Sequence, residues 1–439
     1  MSMTRRDLLR LASVSLSASV SGWLPALAQE AANHPQRRRA CILLWLNGGP
    51  STIDLWDLKP GHANGGPYRP IDTNVPGLRI SEHLPRLAQR ANRLALLRGM
   101  STREADHGRA TYLMHTGYMP SGAIQYPAIG ALVAKELERP EQDLPNFVSI
   151  APSRLLNQAA YDSGFLGPQY APLIVGEAVG LQFGPQQPGQ DIDAALRVQN
   201  LALPRGVEPQ RARARVSLLD QLEADFIASR GDNGPAQSHR SAYRRAFTMM
   251  NSASVQAFEL AREPDAVRDR YGRTLFGQGC LLARRLVEVG VPFVEVTLDG
   301  WDTHVQNFNA VRGLARILDQ AFATLLDDLH DRGLLATTTI LCMGEFGRTP
   351  RINANQGRDH WANSWTTVLA GGGIRGGTVV GRTNDAGTEV TDRPTSVSDL
   401  LATLGLALGI DIATQNQSNV GRPIRFVDAA ARPVREVLA

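Results

Sequence analysis

Four polar clusters in this 439-residue chain hold side chains whose types and spacing suit chemistry. The densest runs Met343-Gly344-Glu345-Phe346-Gly347-Arg348-Thr349-Pro350 and on to Gly357-Arg358-Asp359-His360-Trp361. A carboxylate, two guanidinium groups and an Asp-His pair lie closer together than core packing needs. Glu345 could ligate a metal, and Arg348 or Arg358 could clamp a phosphate or sulfate. The plainer alternative is a structural Glu345–Arg348 ion pair, since ion-pair networks also gather polar residues. A second cluster, Asp299-Gly300-Trp301-Asp302-Thr303-His304, sets two carboxylates and an imidazole within six residues. Hard oxygen with borderline nitrogen suits Zn²⁺, Mn²⁺ or Fe. A solvated loop is the alternative, against which Trp301 implies packing.

The third cluster is Asp106-His107-Gly108-Arg109. His107 could be a metal ligand, a general acid or base, or a nucleophile. It could also be a loop histidine with one ordinary hydrogen bond. Arg109 could hold an oxyanion bidentately. His115, beside Met114 in the following helical stretch, reads as a core residue. The fourth cluster is Gly48-Gly49-Pro50-Ser51-Thr52-Ile53-Asp54. Its glycines allow close backbone approach to a ligand. Ser51 and Asp54 could be a nucleophile or metal ligands, or the segment is a turn with Asp54 capping a helix.

These clusters need elements to position them. Cys41 to Leu46 is a continuous apolar run of strand length, as expected of a central parallel strand. Leu94–Leu97, Phe147–Ile150, Phe293–Leu298, Thr338–Met343 and Thr366–Ala370 also read as strands. Helical patterns cover residues 81–98 ahead of the Leu94 strand, Pro127–Leu137, Arg312–Arg332 and Ser398–Leu408. Residues 206–290 are dominated by apolar positions at three- and four-residue spacing. Residues 57–80 and 151–205 read as irregular, the second as an insertion over one face. Strands alternating with helices predict an α/β fold, a doubly wound, mostly parallel sheet with helices on both faces. In such a sheet the strand C-termini share one edge, so the clusters should converge there.

Composition excludes some function classes. Net charge is +4, with 43% hydrophobic and 20% charged residues. No aromatic-interleaved basic stripe supports a nucleic-acid partner. Cys41, Cys280 and Cys342 lack the spacing of a disulfide framework or a zinc-thiolate site, and read as buried small hydrophobes. Residues 1–28 read as a twin-arginine signal peptide: Thr4-Arg5-Arg6-Asp7-Leu8-Leu9, an apolar run to Leu24, then Ala26-Leu27-Ala28. The expected address is therefore periplasmic or secreted, with the twin-arginine export machinery as a partner. Residues 29–39 read as a mobile linker, and 40–439 as one domain with a helical insertion at about 206–290. No later segment is apolar enough for a transmembrane anchor.

The residues Leu44-Trp45-Leu46-Asn47-Gly48-Gly49-Pro50-Ser51-Thr52-Ile53-Asp54, His107 to Gly117, Gly300 to His304, Gly344 to Pro350 and Gly357 to Trp361 carry a resemblance. Together they resemble the exported family called domain of unknown function 1501, over nearly the whole mature chain. That family is in turn distantly similar to the alkaline phosphatase and sulfatase superfamily. The resemblance implies an alkaline phosphatase-like fold with metal and nucleophile at the strand ends. The chain departs from the sulfatase pattern in three places. Asn47-Gly48-Gly49 stands where paired aspartates are expected. Counting back from Thr116-Gly117, the nucleophile position falls on His107, which excludes a formylglycine mechanism there. Glu345-Phe346-Gly347 replaces Asp-His-Gly and removes one histidine ligand, so His304 and His360 are expected to restore a single metal site.

The expectation is thus an exported hydrolase of a small phosphate or sulfate ester, dependent on a divalent metal (Zn, Mn, Ca or Fe). Asp54, Asp299, Asp302, His304, Glu345, Asp359 and His360 are the candidate ligands. His107, Ser51, Arg109 and Arg348 are the candidate catalytic residues. The alternative is a non-catalytic binding or assembly protein on the same fold.

Overall fold

The apolar runs form an eight-stranded sheet. In chain order its strands are β1 (Ala40–Leu46), β2 (Leu94–Met100), β3 (Phe147–Ile150), β4 (Leu173–Val175), β5 (Phe293–Leu298), β6 (Thr338–Met343), β7 (Trp365–Gly371) and β8 (Thr378–Val380). Across the sheet the order is β8-β2-β7-β6-β1-β5-β3-β4. Every neighbouring pair is parallel except the two made by β7. The structure is a computed structural model that describes residues 39–139, 142–176, 191–198, 201, 206–230 and 234–439. The expected signal peptide and residues 29–38 of the linker lie outside the described residues, as do parts of 151–205.

Alternation along β1 shows why both faces are covered. Ile42, Leu44 and Leu46 point into one core, Cys41, Leu43 and Trp45 into the other. Five helices matter here: α1 (His107–Thr116), α2 (Ile129–Glu136), α3 (Leu275–Glu288), α4 (Asn307–Asp331) and α5 (Val397–Ala407). α3 and α4 bury their apolar faces in the first core, α2 and α5 in the second. α5 starts at a reciprocal Ser396–Asp399 capping box. All three cysteines are free and buried, as expected. No described helix is long and apolar enough to cross a membrane.

Two stretches differ in detail from expectation. Residues 81–98 form only the short helix Pro85–Ala88 and a 3-10 turn before β2. Proline lacks a donor and sets the helix start, while Asp319 of α4 takes the amides of Arg86 and Leu87. Within 206–290, Pro209–Arg230 and Gly234–Asn251 are helices. The last helix of that stretch, α3, is part of the core against the sheet.

Register decides where the chemistry lands. Leu46 of β1 pairs with Leu298 of β5, and Trp45 pairs with Met343 of β6. Three central strands therefore end in one row, and the loops after them leave side by side. An antiparallel strand begins where its parallel neighbours end. β7 thus brings the segment just before Trp365, including His360, to the same edge. The loop after β2 carries α1, and with it His107, to that edge as well.

Candidate functional site

Four side chains meet at the sheet's C-terminal edge: His107, Asp302, His304 and His360. The Asp302 Oδ1 atom is 3.3 Å from His107 Nε2, 3.1 Å from His304 Nε2 and 3.4 Å from His360 Nε2. The His304 and His360 Nε2 atoms are 3.0 Å apart. His107, Asp302 and His360 offer ligand atoms that all lie within 4.8 Å of one another.

Each imidazole is fixed through its other nitrogen. His360 Nδ1 lies 2.8 Å from the Ala105 carbonyl, which only accepts, so Nδ1 carries the proton. His107 Nδ1 faces Glu345 Oε1 at 2.6 Å, and His304 Nδ1 faces Asp359 Oδ1 at 2.9 Å. Ionised carboxylates also only accept. All three rings, when neutral, therefore turn Nε2 lone pairs toward Asp302. Holding a ligand histidine by a carboxylate or carbonyl on its far nitrogen is how proteins orient metal-binding imidazoles.

Backbone fixes the rest. The amide of Gly48 donates to both oxygens of Glu345, at 2.9 and 3.2 Å. Gly48 has φ +110°, and a Cβ there would lie 2.4 Å from the Asp302 amide nitrogen, so only glycine fits. Gly357 passes under the His304 carbonyl, where a Cβ would lie 1.8 Å from the oxygen. Asn353 Nδ2 donates to that carbonyl at 3.0 Å, and the Arg358 amide donates to Thr303 at 3.0 Å. These contacts hold the 302–304 and 353–360 loops together.

Charge within the cluster is strongly coupled. Burial pulls the His107 imidazolium down, but hydrogen bonds to Asp302 and Glu345, and their charges, outweigh this and push it up to about 9. Burial pushes the Asp302 carboxyl up, yet His107, His360 and Arg348 hold it far below the usual carboxylate range. Arg348 is fully buried. Its guanidinium pairs with Asp302 and donates to the carbonyls of Gly48 and Gly49. Burial lowers its pKa, and the Asp302 charge opposes that.

Several expected site residues do other work. Asp54 makes no hydrogen bond or ion pair with the three histidines or Asp302: it is fully buried in a bidentate pair with Arg358, at 2.8 and 2.9 Å, and accepts from Asn307 at 2.8 Å. Three hydrogen bonds and the Arg358 charge already engage both of its oxygens. Asp299 takes Asn47 Nδ2 and the Gly300 amide, both at 2.8 Å, and burial raises its pKa. Glu345 and Asp359 sit behind His107 and His304 rather than beside Asp302. Arg348 pairs with Asp302, not Glu345, and neither it nor Arg358 is free to clamp a substrate. Ser51 is buried, and its hydroxyl has no hydrogen-bond partner among the described residues. Arg109 is exposed and held by Glu104 at 3.0 Å. His115 is buried, with Nδ1 on the Thr111 carbonyl, as its place beside Met114 suggests.

A cleft of about 540 Å³ opens over the cluster, lined by Arg103, Glu104, Ala105, Asp106, His107, Gly108, Arg109, Leu156 and His360. Sequence reasoning missed Arg103, Glu104 and the Ala105 carbonyl. The Arg103-Glu104 pair just upstream of His107 was the available signal.

The site is thus a histidine-carboxylate cluster at the carboxyl edge of a mostly parallel sheet. The chain belongs to the family described as "Protein of unknown function (DUF1501)", whose pattern matches residues 38–438. No curated protein sequence matches it. Among solved structures it is similar to the PsFucS1 sulfatase from Pseudoalteromonas sp., at 12% identity and TM-score 0.41, covering 88% of this chain and 71% of that one. It is similar to the phosphonate monoester hydrolase SpPMH from Silicibacter pomeroyi, at 14% identity and TM-score 0.36, covering 91% and 76%. A third is the alkaline phosphatase from the Antarctic bacterium TAB5, at 12% identity and TM-score 0.32, covering 77% and 93%. Likenesses this distant establish no reaction for this chain.

Proposed function

We propose that this chain is an exported, metal-dependent hydrolase of a phosphate or sulfate ester. The observation that carries the reading is the set of inward-facing acceptors, three Nε2 atoms around Asp302 Oδ1. Lone pairs and a carboxylate oxygen at such distances repel unless a metal cation or a shared proton lies among them. The residues fit a metal on that ground. His107, His304 and His360 would hold it through Nε2, with Asp302 as the fourth ligand. Three imidazoles suit Zn²⁺, Mn²⁺ or Fe and disfavour Ca²⁺, which takes oxygen ligands. When bound, such a cation polarises an ester oxygen and lowers the pKa of water.

The chain's own groups supply the rest. Arg103 and Arg109 stand exposed on the cleft, beside Glu104 and Asp106, where a guanidinium could contact an anionic head locally. Arg109 would meet a transferring oxyanion with a guanidinium pre-oriented by Glu104. Glu345 acts as a positioning residue, keeping the His107 tautomer whose Nε2 faces inward. Asp359 does the same for His304. Arg348 fixes the Asp302 carboxylate and offsets its charge. Ser51, buried and without a hydrogen-bond partner among the described residues, is the candidate nucleophile.

Protein reconstituted with Zn²⁺ or Mn²⁺ should hydrolyse an aryl phosphate or aryl sulfate, and a chelator should abolish turnover. Burst kinetics would reveal a covalent intermediate and favour Ser51 as nucleophile, since both ring nitrogens of His107 are then engaged. Absence of turnover on a broad ester panel, with metal bound, would reject the hydrolase. Glu345→Gln should weaken metal binding by about 10–100-fold, because it loosens a ligand's far nitrogen. Competition with a calibrated chelator checks that figure.

One observation favours a second reading, the non-catalytic binding protein. Asp302 already has Arg348 as a counter-ion, and a protonated His107 would complete the network without any metal. In that case purified protein takes up no metal, and its cluster serves only to pin the loops.

A further inference from the structure

We infer that the ester taken by this cleft is amphiphilic, an anionic head joined to an apolar group that packs on Leu155 and Leu156; this rests on the hydrolase reading above. The two leucines are 65% and 46% exposed, an adjacent apolar pair where a solvated loop would ordinarily be polar. Their position gives the exposure a meaning. They follow β3, which lies beside β5, so their loop leaves the same sheet edge as Asp302. Leu156 lines the cleft together with His107, His360, Arg103 and Arg109.

The loop is also held in place. Asn157 Nδ2 donates to the Gly108 carbonyl at 2.8 Å, and the Asn157 side chain accepts from the Ala160 amide at 3.2 Å. Gly108 lets the loop backbone close on the first turn of α1, since a Cβ there would lie 3.0 Å from the Leu156 carbonyl oxygen. The leucines are thus presented to solvent on a tied backbone beside an imidazole-lined cleft, where Arg103 and Arg109 stand next to Glu104 and Asp106. The floor and the arginines fit a phosphate or sulfate head. The leucines fit an alkyl or aryl substituent leaving the cleft on that side. A sugar ester, rimmed with hydroxyl groups, would cover them less well than an alkyl chain.

Calorimetry of the Zn²⁺-reconstituted protein with hexylphosphonate and methylphosphonate separates the possibilities. Each methylene removed from water is worth about fourfold in affinity. A hexyl chain covered over half its length should therefore bind at least about tenfold tighter than methyl. In Leu155→Ser/Leu156→Ser protein that ratio should fall toward one. Both positions are exposed, so folding is not at stake, and a circular dichroism melt confirms it. Equal affinities in the wild type overturn the amphiphilic substrate and leave the hydrolase standing. A hexyl preference that survives the double substitution overturns the assignment to these leucines. Failure of both phosphonates to bind metal-loaded protein overturns the anionic-ester site itself, and this inference with it.

Discussion

Asp54→Asn lowers the stability of this protein by about 3–5 kcal/mol. Arg358 and Asp54 are both fully buried and joined by two hydrogen bonds of 2.8 and 2.9 Å. Both side chains are shielded from bulk solvent. Replacing the carboxylate with a neutral amide keeps the shape but leaves the Arg358 charge without a counter-ion in the interior. The remaining guanidinium contacts are carbonyls of Thr349, Pro350 and Asn64, which accept hydrogen bonds but carry no charge. Asn307, which donates to Asp54 and accepts from Thr303, would lose its place too. Urea denaturation followed by tryptophan fluorescence measures the loss. The midpoint should drop with little change in the slope against denaturant. A midpoint within experimental scatter of wild type would mean the pair does not anchor the 349–360 loop.

His304→Ala is expected to do the reverse. The His304 side chain is 42% exposed, so its removal should shift stability by no more than about 0.5 kcal/mol. Metal affinity, by contrast, should fall by more than the 10–100-fold expected for an outer residue, because a ligand is lost outright. Two variants thus separate two roles at this sheet edge: Asp54 anchors the scaffold, and in the proposed centre His304 would hold the cation. Metal uptake by the wild type should also strengthen as pH rises toward 9. The His107 proton, held up to about 9 by Asp302 and Glu345, must leave before Nε2 can bind. Uptake that is flat between pH 7 and 9 would remove His107 from the ligand set.

The sequence made the convergence legible and the division of labour illegible. Apolar runs such as Cys41–Leu46 and Thr338–Met343 mark central strands by composition alone, and a parallel sheet puts their ends on one edge. Loop residues at those ends then had to meet. Which carboxylate faces inward depends on backbone details that a residue's type does not carry. Glu345 points at the Gly48 amide because Gly48 adopts φ +110° beside Asp302. Asp54 and Asp302 look alike in sequence, each just past a strand end and within reach of an arginine. Arg358 reaches back to Asp54 across 304 positions, and Arg348 to Asp302 across 46. No local pattern predicts those pairings. The strand β7 was recognisable as a strand, but its antiparallel direction was not read from the sequence, although no crossover helix lies between Met343 and Trp365.

The central claim is that three Nε2 atoms and Asp302 form a metal centre. X-ray absorption on protein reconstituted with one equivalent of Zn²⁺, with metal content measured after gel filtration, tests it most directly. The account predicts one Zn²⁺ per chain, a shell of nitrogen and oxygen at about 2.0–2.1 Å, and the outer-shell scattering of three imidazoles. A chain that leaves the column without metal, or holds it in an all-oxygen shell, would contradict it and leave the proton-bridged binding protein as the reading of this fold.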